Sequence, residues 1–230
     1  MNMNNELSNI LKELPLDFYN EHKEIVEIIK EYNSFIQNKS KKDANNNYII
    51  PNKEVEDFNK SMIQILNKIK KIHNQLIKDS KTDLYTIKFF EKVCKIEFEK
   101  SKEISIIMLD VDFFKEINDT HGHFIGDNIL LELSKTLKKS IRDIDLIARF
   151  GGDEFILLIK GDKKSSEIVI NRIKENIKKN KLLQKYNLKL SGGIAIKKDS
   201  DKNMLTLKKR ADKALYKAKK NGRNNFVFDE

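Results

Sequence analysis

Apolar residues recur at helical spacing over residues 21–37, where Ile25, Ile28, Ile29, Tyr32, Phe35 and Ile36 fall on one face. The polar, aperiodic stretch Asn38–Asn47 reads as a loop. Pro51 and Asn52 then open a second helix, with Glu54, Glu56 and Asp57 well placed beside the positive end of its dipole. Its apolar positions Val55, Phe58, Met62, Ile65, Ile69, Ile72 and Leu76 step alternately by three and four residues. That heptad seam suits a coiled coil with a second chain or a hairpin against the first helix. A four-helix bundle formed by two chains would satisfy both. No internal repeat is visible.

From Asp79 the pattern becomes one of helices alternating with short apolar runs. Helices are expected over residues 85–100, 126–140, 165–182 and 203–219, and strands over 104–111, 146–150, 155–159, 188–196 and 226–228. Gly151–Glu154 between two of the strands is a hairpin signal. From residue 104 the order is β-α-β-β-α-β-α-β. That predicts an α+β domain, ferredoxin-like at its centre, with helices covering a sheet. The expected division is 1–78 for the N-terminal helical region and 79–230 for this domain.

Charged residues make up 35% and hydrophobic residues 39% of the chain, with 8 Gly, 2 Pro and no Trp. Collagen-like and proline-rich classes are excluded, and a turn-dense β sandwich is disfavoured. The single cysteine, Cys94, excludes an internal disulfide framework and a multi-cysteine zinc site. There is no long apolar run and no signal-peptide pattern, so the expectation is a cytoplasmic protein without a membrane partner. The net charge is +10, and nearly all of the excess lies beyond residue 78. A basic surface of this kind serves nucleic acid, anionic lipid, nucleotide phosphates or plain solubility. The lysines are dispersed without interleaved aromatics, which argues against nucleic acid. All five arginines, Arg142, Arg149, Arg172, Arg210 and Arg223, lie in the basic part. Guanidinium binds phosphate or carboxylate through paired hydrogen bonds, so each is a candidate for ligand or ion-pair duty.

Candidate chemistry begins with Asp110-Val111-Asp112 at the end of a buried strand, where hard oxygen donors suit Mg²⁺. The second candidate is Gly151-Gly152-Asp153-Glu154, a tight hairpin with two adjacent acids whose repulsion a divalent metal would offset. If their two strands are neighbours, Asp110 and Asp153 converge.

Taken together, LDVDFFKEINDTHGHFIGD (109–127) and RFGGDEF (149–155) resemble the GGDEF family of diguanylate cyclases. So do DSKTDLY (79–85), RDID (142–145) and ADKALYKAKKNGRN (211–224), in the family's order. The resemblance implies a nucleotide-cyclase-like central antiparallel sheet. It also implies the condensation of two GTP molecules to cyclic di-GMP and two pyrophosphates at the interface of a homodimer. Asp110, the Val111 carbonyl, Asp153 and Glu154 are the implied holders of Mg²⁺, or of Mn²⁺ in its place. Asp153 is the implied general base. Backbone N–H groups at Phe113, Phe114 and Lys115 are implied to cradle the phosphates, and the Lys115 ammonium to stabilise transition-state charge. Guanine offers N1–H and a 2-amino group as adjacent donors, so Asp127 can accept from both, while Asn118 both donates and accepts. His123 in the same loop is a further candidate contact. His121 and His123 lack a third soft ligand, which disfavours zinc. Lys219 and Arg223 align with β- and γ-phosphate contacts. Arg142-x-x-Asp145 matches the product-inhibition site, and Arg172 its secondary arginine.

The opening motif departs from the family pattern D-x-L-T-G-L-x-N-R: Lys81, Asp83, Thr86 and Ile87 replace its Leu, Gly, Asn and Arg. With isoleucine at position 87, the salt bridge that the family's arginine there would make to Asp79 is lost. A catalytically silent receptor for cyclic di-GMP or GTP is the competing functional class. The helices of residues 1–78 match no sensor type and are the expected place for a signalling partner; His22 and His73 read as surface positions on them.

Overall fold

The computed structural model describes residues 77–229 continuously, together with 23, 26–27, 29–31, 34, 41–42, 48–49, 60–68 and 71. The chain divides into two compact units, Met1–Leu76 and Ile77–Glu230, each described here by itself.

In the first unit, Lys41–Lys42 pairs antiparallel with Tyr48–Ile49, so the stretch expected to be a loop contributes one strand of a short β-ladder. Residues 60–68 are helical. Within them Leu66 is fully buried while Ile65 is 49% exposed, so burial falls one position away from the expected seam. Val26 and Ile29 are also buried. Val55, Phe58, Ile69, Ile72 and Leu76, the entry at Pro51 and Asn52, the acids of the first turn, His22 and His73 lie outside the described residues.

The second unit carries β1 (Tyr85–Thr86), α1 (Ile87–Lys100), β2 (Ile104–Val111), α2 (Phe114–His121), α3 (His123–Ser140), β3 (Leu146–Arg149) and β4 (Glu154–Lys160). There follow α4 (Lys163–Lys179), α5 (Lys181–Lys185), β5 (Leu190–Ile196), α6 (Met204–Lys220) and β6 (Phe226–Phe228). The sheet order is β1-β3-β4-β2-β5-β6. The four central strands pair antiparallel, as the ferredoxin-like expectation requires, and the two outer strands add parallel, making a mixed sheet. Strand β1 and helix α2 were absent from the sequence reading, and the helix ending near residue 182 is two helices meeting at Asn180.

Strand β2 is buried along its whole length because both sheet faces are covered. Alternation sends Ile107, Leu109 and Val111 to one core with Ile129, Leu133 and Ile173 of α3 and α4. It sends Ile104, Ile106 and Met108 to the other, with Phe90 of α1 and Leu207, Ala211 and Leu215 of α6. Helix α6 lies directly on β5: a Cβ at Gly193 would sit 2.0 Å from the Leu215 nitrogen and 2.2 Å from the Ala211 carbonyl. That contact, and the pairing of Asp110 with Ser191, bring the C-terminal end of α6 over the end of β2. The acids of both motifs meet there.

Candidate active site

Asp110, the last residue but one of β2, lies opposite Glu154 in the β2–β4 ladder. The Val111 N–H donates to the Asp153 carbonyl at 3.2 Å, which draws the hairpin tip onto the strand end. A Cβ at Gly151 would sit 3.0 Å from a Glu154 carboxylate oxygen, so the glycine leaves room for that acid. Burial pushes the Asp110 carboxyl up; a hydrogen bond and charge from Lys219 oppose this, and Asp153 and Asp112 add to it. Glu154 is raised by burial first and then by Asp110. Lys219 reaches from α6 to donate to Asp110 at 2.6 Å. One ammonium thus faces mutually repelling carboxylates, and a cleft of about 580 Å³ opens beside Glu154, Asp212, Tyr216 and Lys219.

Among the described residues no group of three or more His, Cys, Asp or Glu side chains is gathered into a metal cage. The donor set nevertheless fits Mg²⁺. That ion typically takes one or two carboxylates and completes its shell with water and substrate phosphate oxygens. The surplus negative charge around buried Asp110 is what a divalent cation relieves.

Asp112 turns away from this cluster. It is buried, accepts from the Ser191 hydroxyl at 2.7 Å and from the Asn224 N–H at 2.9 Å, and ties β2 to β5 and to the loop after α6. Phe113 is left-handed at φ 58° and 48% exposed. It precedes α2 without a side-chain cap, so the first N–H groups of the helix lack a capping acceptor. Phe114 packs on the core, and Lys115 is exposed. The Arg223 guanidinium lies over the Phe113 ring at 4.7 Å, bringing the end of α6 to the start of α2.

Asn118 faces Gly126, the neighbour of Asp127, across the α2–α3 bend. A Cβ at Gly126 would stand 1.9 Å from the Asn118 amide oxygen, so only glycine leaves that amide where it is. Asp127 is ion-paired with Lys81 at 2.8 Å, a partner the sequence reading missed. His123 opens α3 in an exposed position, and His121 lies edge-on to Tyr186 at 5.0 Å.

Arg142 and Asp145 form a two-point pair, Nε to Oδ2 and Nη2 to Oδ1, each at 3.0 Å. Asp145 also accepts from the Arg142 and Lys160 N–H groups at 3.0 Å, and Arg142 donates to the Lys160 carbonyl. The guanidinium keeps an open side on a cleft of about 240 Å³ that also includes Asp83, Lys138 and Ile147. Arg172 is exposed on α4, one turn before Asn176, whose amide donates to Ser140 beside this loop.

Asp79 has an arginine partner all the same, supplied from another position. Arg149 donates to Asp79 at 3.2 Å and also to the Gly151 and Gly152 carbonyls, so one guanidinium joins the entry turn to the Gly151–Glu154 hairpin. The carboxyl of Asp79 is opposed by its burial, yet hydrogen bonds from Thr82 and Arg149 outweigh that and hold it below its usual range. Arg210 pairs with Asp201 and Asp229, each at 2.9 Å, and anchors the C-terminal strand. The scarcity of arginine was the signal for both roles, but the sequence alone did not name the partners.

Residues 76–225 match the family model described as "Diguanylate cyclase, GGDEF domain", and the chain belongs to that family. Diguanylate cyclase A of Treponema denticola is 33% identical over 192 residues, covering 76% of this chain and 52% of the relative. A probable diguanylate cyclase of Escherichia coli, DgcC, is 34% identical over 64% of this chain and 42% of its own length. The chain therefore spans about half the length of the curated relatives it matches. Among solved structures, the active GGEEF domain of a diguanylate cyclase from Vibrio cholerae superposes with a TM-score of 0.59 at 28% identity, covering 64% of this chain and 97% of that one. The diguanylate cyclase SiaD of Pseudomonas aeruginosa, solved with its activator SiaC, gives 0.61 at 28% identity, covering 76% and 69%. Among the described residues no helix is long and apolar enough to cross a membrane.

Proposed function

We propose that this chain is a diguanylate cyclase that condenses two GTP molecules into cyclic di-GMP and two pyrophosphates, each protomer of a homodimer holding one GTP. The observation that carries the reading is that strand pairing sets Asp110 opposite Glu154 and draws the hairpin tip at Asp153 onto the strand end, with Lys219 paired to Asp110. Asp110, the Val111 carbonyl, Asp153 and Glu154 would hold Mg²⁺, or Mn²⁺. When bound, the ion neutralises triphosphate charge and polarises the phosphoryl oxygens.

The chain's own groups do the rest. The uncapped start of α2 at Phe113–Lys115 offers backbone N–H groups to the phosphates, and Lys115 and Arg223 add cationic charge. Once Asp110 is otherwise neutralised, Lys219 is free to turn to the phosphates. Asp127 and Asn118 read the guanine edge, and His123 lies alongside. The 3′-hydroxyl of one GTP attacks the α-phosphorus of the other, with Asp153 taking the hydroxyl proton. The new 3′–5′ phosphodiester forms as the bond to pyrophosphate breaks, and the same exchange in the opposite sense closes the ring.

Cyclic di-GMP then binds Arg142, Asp145 and Arg172 and inhibits the enzyme. The half-open guanidinium, held rigid by Asp145, supports this assignment. Residues 1–78 dimerise the domain of residues 79–230 and receive the signal through a partner; the structurally similar SiaD is one cyclase solved with an activator.

Asp153→Ala separates this reading from a silent receptor. A cyclase loses all cyclic di-GMP synthesis yet still binds cyclic di-GMP at the arginine site. If the wild-type protein binds GTP and cyclic di-GMP without turnover and Asp153→Ala changes neither affinity, the receptor reading takes its place.

A further inference from the structure

Lys81, a departure from the family's leucine, donates to both carboxylate oxygens of Asp127 at 2.8 Å. The turn that carries it is pinned. Asp79 Oδ1 accepts from the Thr82 N–H at 2.9 Å, the Thr82 hydroxyl at 2.7 Å and the Lys81 N–H at 3.3 Å, besides Arg149. Thr82 is buried, and its carbonyl accepts from Ser134 of α3 at 3.1 Å. The backbone of the turn thus cannot drift, while the Lys81 and Asp127 side chains stay 56% and 47% exposed. The ammonium can therefore leave its partner without unfolding anything.

We propose that Lys81 sets guanine affinity by occupying the base-reading carboxylate Asp127 in the free protein, so that the guanine N1–H and 2-amino groups bind only by displacing it. The inference rests on the cyclase reading, which assigns Asp127 to the base. Standing 2.8 Å from both oxygens, the Lys81 ammonium bridges the edge of Asp127 on which the adjacent N1–H and 2-amino donors of guanine must also sit, so base and ammonium compete for that edge. Lys81 is an affinity-setting residue and touches no reacting atom.

The sign of the effect makes the test sharp. GTP is a polyanion, and removing a nearby cation weakens its binding when the cation acts only through general attraction. Competition predicts the reverse. An exposed ion pair of this kind corresponds to about a 1.4- to 5-fold change in affinity. The experiment measures the Kd of 3′-deoxy-GTP, which cannot cyclise, on the full chain with Mg²⁺. Variants are Lys81→Met, Lys81→Gln, Lys81→Arg and Lys81→Met in an Asp127→Asn background, with thermal unfolding as the fold control. Met and Gln tighten binding by that factor, Arg keeps the wild-type value, and Met gives no gain once Asp127 is Asn. Equal or weaker binding by Met and Gln overturns the inference, as does the same gain without the Asp127 carboxylate. A wild-type protein that binds no 3′-deoxy-GTP would instead overturn the cyclase reading, and this inference with it.

Discussion

Gly126→Ala would separate the guanine site from the stability of the fold. Gly126 is buried in the first turn of α3, and an added Cβ would meet the Asn118 amide oxygen at 1.9 Å, its Cγ at 3.0 Å and the Phe114 ring at 3.2 Å. All three neighbours are side-chain atoms, and the nearest is the end of a rotatable amide. Asn118 must swing away while the backbone stays. Overpacking costs about 1–3 kcal/mol, and alanine in place of glycine in a helix returns about 1 kcal/mol, so folding survives. Displacing Asn118 removes one hydrogen bond to guanine, about 0.5–1.5 kcal/mol, or about 2- to 13-fold in affinity. The assay is 3′-deoxy-GTP binding to Gly126→Ala, Asn118→Ala and the double variant. The account predicts that the double variant is no worse than Asn118→Ala alone. Unchanged affinity in Gly126→Ala, or losses that simply add, would refute the reasoning.

Asp110→Asn removes activity but raises Tm at pH 7, because burial and acidic neighbours hold the Asp110 carboxyl above its usual range. The stability that its protonated form gives is present at low pH and lost as pH rises through the raised pKa, so the Tm advantage fades below about pH 4. Arg149→Met lowers stability by about 1.5–3 kcal/mol by stripping charged hydrogen bonds from Asp79 and the hairpin carbonyls. Asp79 is held below its usual range, so its contribution stands above about pH 4 and is lost as pH falls; the variant's Tm deficit therefore narrows in acid. Arg142→Ala weakens inhibition by added cyclic di-GMP at least about 10-fold, roughly the loss of one charged, two-point contact. The domain stays folded because Asp145 keeps two backbone N–H donors, and inhibition as in wild type would refute the assignment.

The centre of the fold was legible because its elements are long or strongly patterned. Ile104–Val111 is β-branched and apolar throughout, and the helices α3, α4 and α6 keep one apolar face. Helix α2 escaped because FKEINDTH buries no residue, and strand β1 because two residues carry no period. The ladder Lys41–Lys42 with Tyr48–Ile49 escaped for the same reason, each strand being only two residues long. In the first unit, the burial of Leu66 beside exposed Ile65 shows that a heptad pattern does not by itself settle which residues a single chain covers. At the site, the acids were legible from the two motifs, because strand pairing brings both to one edge. Asp79–Arg149 and Lys81–Asp127 were not, since each joins residues far apart in sequence through a turn whose geometry only the fold sets.

The most direct measurement incubates the full chain, stripped of bound nucleotide, with GTP and Mg²⁺ while its oligomeric state is sized in parallel. The account predicts cyclic di-GMP and pyrophosphate in a 1:2 ratio, with a rate that rises as the square of protein concentration below the dimer Kd and linearly above it. A confirmed dimer that forms no cyclic di-GMP with either Mg²⁺ or Mn²⁺ would contradict it.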